Sequence, residues 1–235
     1  MLRTVRLLAL LLILLLGGVW AYAWFARAPG EGLAEAFAGR LGALFGAQTG
    51  VPSAGGGGGV QLAPGASLGG PFSLVDETGQ AVTERSFAGR WMLVYFGFTY
   101  CPDVCPTELG TIAAALDALG PDAAERVVPV FISVDPQRDT PDAMADYVSR
   151  FHPRMRGLTG TPEQIADVAR RYRVYYARAR GAGTTDYLVD HSSFIYLVGP
   201  DGRVRALYRP EMRPEDMAAA VAAQLRVGAS RDGAG

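Results

Sequence analysis

The chain contains no lysine: all 22 of its basic residues are arginine, a bias too widespread to serve any single site. They are balanced by 23 acidic residues, for a formal net charge of −1 and a pI near 6.1. Without surplus positive charge, binding to a phosphate backbone is not expected, so no nucleic-acid partner is expected. Cysteine is almost absent. Cys101 and Cys105 are the only two, which excludes a multi-disulfide scaffold and a four-cysteine zinc site. Histidine is equally scarce, with only His152 and His191. Few ways to build a soft-metal site therefore remain, and each of these four residues can be weighed separately. No internal repeat is visible.

At the N-terminal end, Arg3 and Arg6 precede Leu7 to Ala26, a run of 20 residues without charge. As a helix this run spans a hydrocarbon core of about 30 Å. Arg3 and Arg6 before the run, against Arg27 alone directly after it, predict a cytoplasmic N-terminus and a body outside the inner membrane, in the periplasm. Ala21-Tyr22-Ala23 resembles a signal-peptide cleavage site. The length of the run and its bulky Trp20, Trp24 and Phe25 fit an uncleaved anchor over residues 1–26 better. No cysteine follows that a lipid could modify. Residues 27–68 include five successive glycines, Gly55 to Gly59, and read as a flexible tether. A short helix around Gly32 to Phe45 is the alternative there.

From residue 69 to about 228 the texture is that of one folded domain, with 229–235 as a tail. Phe72 to Val75 and the region of Val82 flank Asp76-Glu77-Thr78-Gly79 and predict a β-hairpin. The unbroken apolar runs Trp91 to Phe96 and Val127 to Val134 predict strands buried on both faces. Between them a helix is expected from about Pro106 to Leu119, stopped by Gly120-Pro121. Thr140-Pro141 and Thr161-Pro162 each offer a capping hydroxyl followed by proline in the first helical position, which opens helices to Ser149 and Tyr172. Ser193 to Val198 and Val204 to Tyr208 form a second hairpin across Gly199-Pro200-Asp201-Gly202, and a helix from Pro214 to Arg226 closes the domain. Strands alternating with helices give an α/β fold. Its mixed sheet, flanked by helices, resembles the thioredoxin-like plan with an added N-terminal hairpin.

The chemistry concentrates where the first buried strand ends. In Phe96-Gly97-Phe98-Thr99-Tyr100-Cys101-Pro102-Asp103-Val104-Cys105-Pro106, both cysteines stand at a strand-to-helix junction. A helix N-terminus presents unpaired N–H groups and partial positive charge, which favour thiolate. A four-residue separation brings the sulfurs to one side of the first turn, close enough to share a metal or to close a disulfide. Cu(I) accepts two sulfurs and one imidazole, whereas zinc calls for a fourth ligand. His191, directly before a buried strand, is the better third ligand. His152, in a polar loop after a helix, has a solvated or capping role as its default. Asp190 or Asp186 could orient the imidazole. Asp135 and Asp139 either shape the loop beside the cysteines or cap the next helix. Arg170 to Arg180, with five arginines, is a solvated helix end or a docking face.

The blocks FGFTYCPDVCPTEL, ISVDPQRDTP and DYLVDHSSFIYLVGPDG resemble those of the Sco/SenC proteins, copper chaperones for the binuclear copper centre of cytochrome c oxidase. The resemblance runs from about Gly70 to Leu225. It implies a thioredoxin-like domain holding one copper, as Cu(I) or Cu(II), on Cys101, Cys105 and His191. It also implies delivery of copper to a copper-accepting oxidase subunit, or reduction of that subunit's cysteines, with other periplasmic copper chaperones or thiol reductants as further partners. Cys101 and Cys105 would then form a redox-active disulfide pair. No catalytic residue is assigned.

Two enzymes compete with this reading. A thiol–disulfide oxidoreductase would normally carry two residues between its cysteines rather than three, and a proline where His191 stands. A peroxiredoxin needs Thr or Ser three residues before its reactive cysteine, and Pro102 occupies that place before Cys105. A copper-sensing or redox-signalling module would use the same ligands.

Overall fold

The computed structural model describes residues 59–61, 68–179 and 187–232, together with Arg6. The chain forms two compact units, Met1–Ala54 and Gly55–Gly235; the architecture below is that of the second. The Leu7 to Ala26 run and most of the 27–68 segment lie outside the described residues. Among those described, no helix is long and apolar enough to cross a membrane.

The described elements run β1 (Gly59–Gln61), β2 (Ser73–Asp76), β3 (Ala81–Thr83), a 3-10 turn (Glu84–Phe87) and β4 (Trp91–Gly97). Then come α1 (Val104–Ala118), α2 (Pro121–Glu125), β5 (Val127–Ser133), α3 (Pro141–Ser149), β6 (Arg156–Thr159) and α4 (Pro162–Tyr172). The chain closes with β7 (Tyr176–Arg178), β8 (Val189–His191), β9 (Ile195–Val198), β10 (Val204–Tyr208) and α5 (Pro214–Asp232).

Eight strands make one sheet in the order β1-β10-β9-β4-β5-β6-β2-β3, and β7 pairs with β8 in a separate ribbon. Every residue of β4 and β5 is buried, as their apolar runs require. The two strands pair in parallel from Trp91↔Val127 to Gly97↔Ser133, so the chain must cross over between them through α1 and α2. A second crossover through α3 brings in β6, also parallel. The expected hairpins β2–β3 and β9–β10 add antiparallel strands on either side. The mixed sheet and its flanking helices are those of the thioredoxin-like plan.

The helix signals hold in detail. Thr140 accepts a hydrogen bond from the N–H of Ala143, and Thr161 closes a capping box with Gln164. At Gly120, φ of 77° makes the turn between α1 and α2. Beyond the unanticipated α2, β6, β7 and β8, three findings depart from expectation. α1 begins at Val104 rather than Pro106, so Cys105 lies inside it. Gly59–Gln61, within the segment read as tether, pairs with β10; edge pairing uses only backbone groups and needs no strand-like side chains. The closing helix continues past Arg226 to Asp232.

Candidate metal centre

The site sits beyond the carboxyl ends of β4 and β5, where the parallel pair opens and α1 starts. Asp103 is the residue before the helix, and its own side chain caps nothing. Cys101 does so instead, its Sγ accepting a hydrogen bond from the N–H of Cys105 at 3.4 Å. Cys101 therefore precedes the helix and Cys105 belongs to its first turn, rather than both lying on that turn. One of the orphan amides that every helix start leaves over is satisfied by sulfur.

Cys105 is fully buried and Cys101 half-buried. Their environments drive them apart. The Cys101 thiol is pulled down to about 4, first by the hydrogen bond that Cys105 offers it, then by His191 and by the N–H groups of Asp103 and Cys105. Cys105 is pushed up for the reciprocal reason, and by burial. The half-buried sulfur is thus favoured as the thiolate and the fully buried one as the thiol.

His191 arrives from β8. Its Nε2 lies 3.3 Å from Cys105 Sγ, and its Nδ1 lies 3.1 Å from the carbonyl oxygen of Ser192. A carbonyl can only accept, so Nδ1 is the donor in this bond and Nε2 is the nitrogen that faces the sulfurs. Tyr95 and Phe98 meet the imidazole edge-on, each with centroids 6.0 Å away. The phenol of Tyr95 is held neutral by burial first and by neighbouring Cys105 second. The ligand atoms of Cys101, Cys105 and His191 all lie within 4.8 Å of one another.

His152 is placed elsewhere, as its loop suggests. Its Nδ1 accepts the N–H of Arg154 at 3.1 Å and its ring stands 3.7 Å from Asp117, a turn-fixing role. Asp190 does not orient His191: it is exposed on β8, and the Ser192 carbonyl holds the ring instead. Asp186 lies outside the described residues. Both loop aspartates shape the surroundings of the site: the carboxylate of Asp139 accepts from the N–H and hydroxyl of Thr99 and from the hydroxyl of Ser133, and that of Asp135 accepts from Arg138 and Tyr187. Thr140 does the capping. In the arginine-rich stretch, Arg170 and Arg171 pair with Asp167, while Arg178 lies 4.1 Å over the ring of Tyr187.

Gly97 is a site residue that sequence reasoning passed over. A Cβ there would meet Cys105 Sγ at 2.7 Å and the Phe131 ring at 2.9 Å. The bare backbone is what lets the sulfur pack against the strand. The signal was available: a glycine ending an otherwise unbroken apolar strand marks a close approach.

Residues 60–226 match the family model described as SCO1/SenC. The protein SCO1 homolog 1, mitochondrial, of Arabidopsis thaliana is 53% identical over 136 residues, covering 58% of this chain and 40% of that one. The chain spans about half the length of the curated relatives it matches, from 40% to 59%. Among solved structures, Arabidopsis thaliana ScoI with copper bound is 46% identical with a TM-score of 0.64, over 68% of this chain and 99% of that one. A more distant neighbour is BsSco, reported with a disulfide switch and as a member of the Sco family of cytochrome c oxidase assembly proteins. It is 26% identical with a TM-score of 0.54, over 68% of this chain and 95% of that one.

Proposed function

The chain belongs to the SCO1/SenC family, and from that premise we propose that it is a copper-binding metallochaperone acting in cytochrome c oxidase assembly. One copper ion is held by Cys101, Cys105 and His191. The observation that carries this is the convergence of two sulfurs and one imidazole nitrogen within 4.8 Å. Three ligands around one ion, with bonds of roughly 2.0–2.3 Å, stand about 3.5–4 Å apart, inside that limit. Two soft sulfurs and a neutral imidazole suit Cu(I) in trigonal coordination. The copper-bound relative, similar over the whole domain, supports the choice of metal.

The recipient is a copper-accepting subunit of cytochrome c oxidase, with other copper chaperones or thiol reductants as further partners. The chain's residues hold the ion at an accessible edge. Cys105 and His191 are fixed from behind, while Cys101, the less buried of the two sulfurs, is the ligand a recipient's sulfur reaches first.

A second reading uses the same sulfurs without metal, and the contrast between a half-buried thiol drawn toward thiolate and a fully buried one favours it. The Cys101 thiolate attacks a partner disulfide, forming one S–S bond and releasing a partner thiolate. The Cys105 sulfur then displaces the second partner sulfur, giving Cys101–Cys105 and a reduced partner. The Cys105 proton passes to the partner's thiolates, and two electrons move from this chain to its partner.

The uncharged run Leu7 to Ala26 behind Arg3 and Arg6 supports a single-pass anchor, with the residues from 27 up to β1 as tether and the domain from β1 onward. The N-terminus is then cytoplasmic and the domain periplasmic. Protease added to spheroplasts should remove the domain from its membrane.

The deciding experiment mixes the copper-loaded chain with an apo oxidase copper subunit and follows both metal and thiol state. Copper transfer at constant thiol count is the expected result. Thiol exchange without metal movement would replace chaperone by reductase.

A further inference from the structure

Arg138 touches neither sulfur nor imidazole, yet its guanidinium lies among aromatic rings from both halves of the site. It stands 4.6 Å from the Tyr100 centroid and 5.8 Å from that of Phe98, on the loop leading into Cys101. On its other side it lies 3.7 Å from Tyr187, on the segment leading into His191. Its Nε donates to Asp135 at 2.5 Å, and the other oxygen of Asp135 accepts the hydroxyl of Tyr187 at 2.6 Å. Arg178 lies 4.1 Å from the same ring. Two cations so close to one centroid must occupy opposite faces. Tyr187 is therefore held on both faces and at its hydroxyl, and is 4% exposed.

The need for such a holding device follows from topology. Cys101 and Cys105 are attached to the central sheet through β4 and α1. His191 sits on β8, which among the described residues pairs with β7 alone and belongs to no larger sheet. A three-residue ribbon strand is a weak support for a ligand that must meet two sulfurs.

We propose that Arg138 is a positioning residue for the metal centre: its guanidinium, stacked on Tyr100 and Tyr187 and anchored by Asp135, locks the histidine segment to the cysteine loop. A planar guanidinium can stack on two rings while pairing with a carboxylate, which an ammonium cannot do. Its value for copper rests on the function proposed above, while the lock itself is a property of the apo chain.

The test uses the full chain in mild detergent, without metal, and reads amide hydrogen exchange beside the global melt. Arg138→Gln should speed exchange of residues 187–192 at least tenfold, with the sheet core β4–β5 and the melting temperature little changed. Arg138→Lys keeps the charge but not the plane and should fail to restore protection. Tyr187→Phe, which loses only the hydroxyl, should retain most of it. Tyr100→Leu, at a residue 63% exposed and so no threat to folding, should loosen the segment by a smaller factor. Copper affinity of Arg138→Gln should fall about 10–100-fold, the range of supporting-shell losses. Unchanged exchange in Arg138→Gln overturns the proposal. So does uniform loss of protection tracking a lowered melt, since the residue would then only stabilise the domain. Full rescue by lysine overturns the stacking basis. If wild type binds no copper while the exchange pattern appears as expected, the function fails and the lock stands.

Discussion

The two halves of the metal centre are built in opposite ways. On the cysteine side, the ligands are set by the core: β4 is buried along its length, Cys105 lies in the first turn of a 15-residue helix, and its sulfur presses on a bare glycine. On the histidine side the ligand rides on a two-stranded ribbon and is steadied by side chains and one backbone carbonyl. Local opening is graded by how much a segment buries. The sulfurs should therefore stay in place under conditions that release the imidazole, which gives the site a rigid arm and a yielding one.

The sharpest way to break that comparison is to remove one ligand from each arm. Cys105→Ser should abolish stable copper binding and disulfide closure together. His191→Ala should lose copper by at least about 100-fold, beyond the usual supporting-shell loss, yet still close Cys101–Cys105 on mild oxidation. Copper titration and free-thiol counts check both, and full copper binding by His191→Ala would refute the assignment.

Next in size is Gly97→Ala, aimed at the rigid arm alone. With a Cβ 2.7 Å from sulfur and 2.9 Å from the Phe131 ring, it should cost about 1–3 kcal/mol of stability by chemical denaturation. An unaltered unfolding midpoint would show that Cys105 has room to move.

A third measurement separates the sulfurs by pH. A thiol whose folded pKa lies below its unfolded value is ionised across the range between them, and becomes neutral only as pH falls through the lower value. With Cys101 at about 4, alkylation of the apo chain should be nearly flat from pH 8 to 5 and fall only below that. An ordinary thiol would lose about tenfold per pH unit over the same range. The smallest effect is expected for His152→Ala, which should leave copper binding intact and cost about 1 kcal/mol through the lost bond to Arg154.

The same division explains what could be read in the sequence. The meeting of Cys101, Cys105 and His191 was legible because so few candidate ligands exist, and because a long apolar strand and a clear helix frame the cysteines. β4, β5 and the proline-opened helices announce themselves by uninterrupted burial and by caps. β6 did not: Arg156-Gly157-Leu158-Thr159 has too few apolar residues to show a period. Its glycine answers a tertiary demand, for a Cβ there would meet Met144 and Val148 at 3.1 Å. The β7–β8 ribbon was hidden for the same reason, being two three-residue strands carrying arginine, aspartate and histidine. Least visible was the lock. Arg138, Tyr100 and Tyr187 are remote in sequence and meet only because the fold brings three loops to one edge, and no local pattern encodes such a meeting.

The bond from His191 Nδ1 to the carbonyl of Ser192 carries a last consequence. Side-chain partners that select a histidine tautomer can be lost to a single codon change. Here the acceptor is main chain, present whichever residue occupies position 192. The choice of nitrogen facing the sulfurs is thus inherited with the backbone path rather than with any one amino acid, and sequence drift at position 192 leaves that acceptor in place.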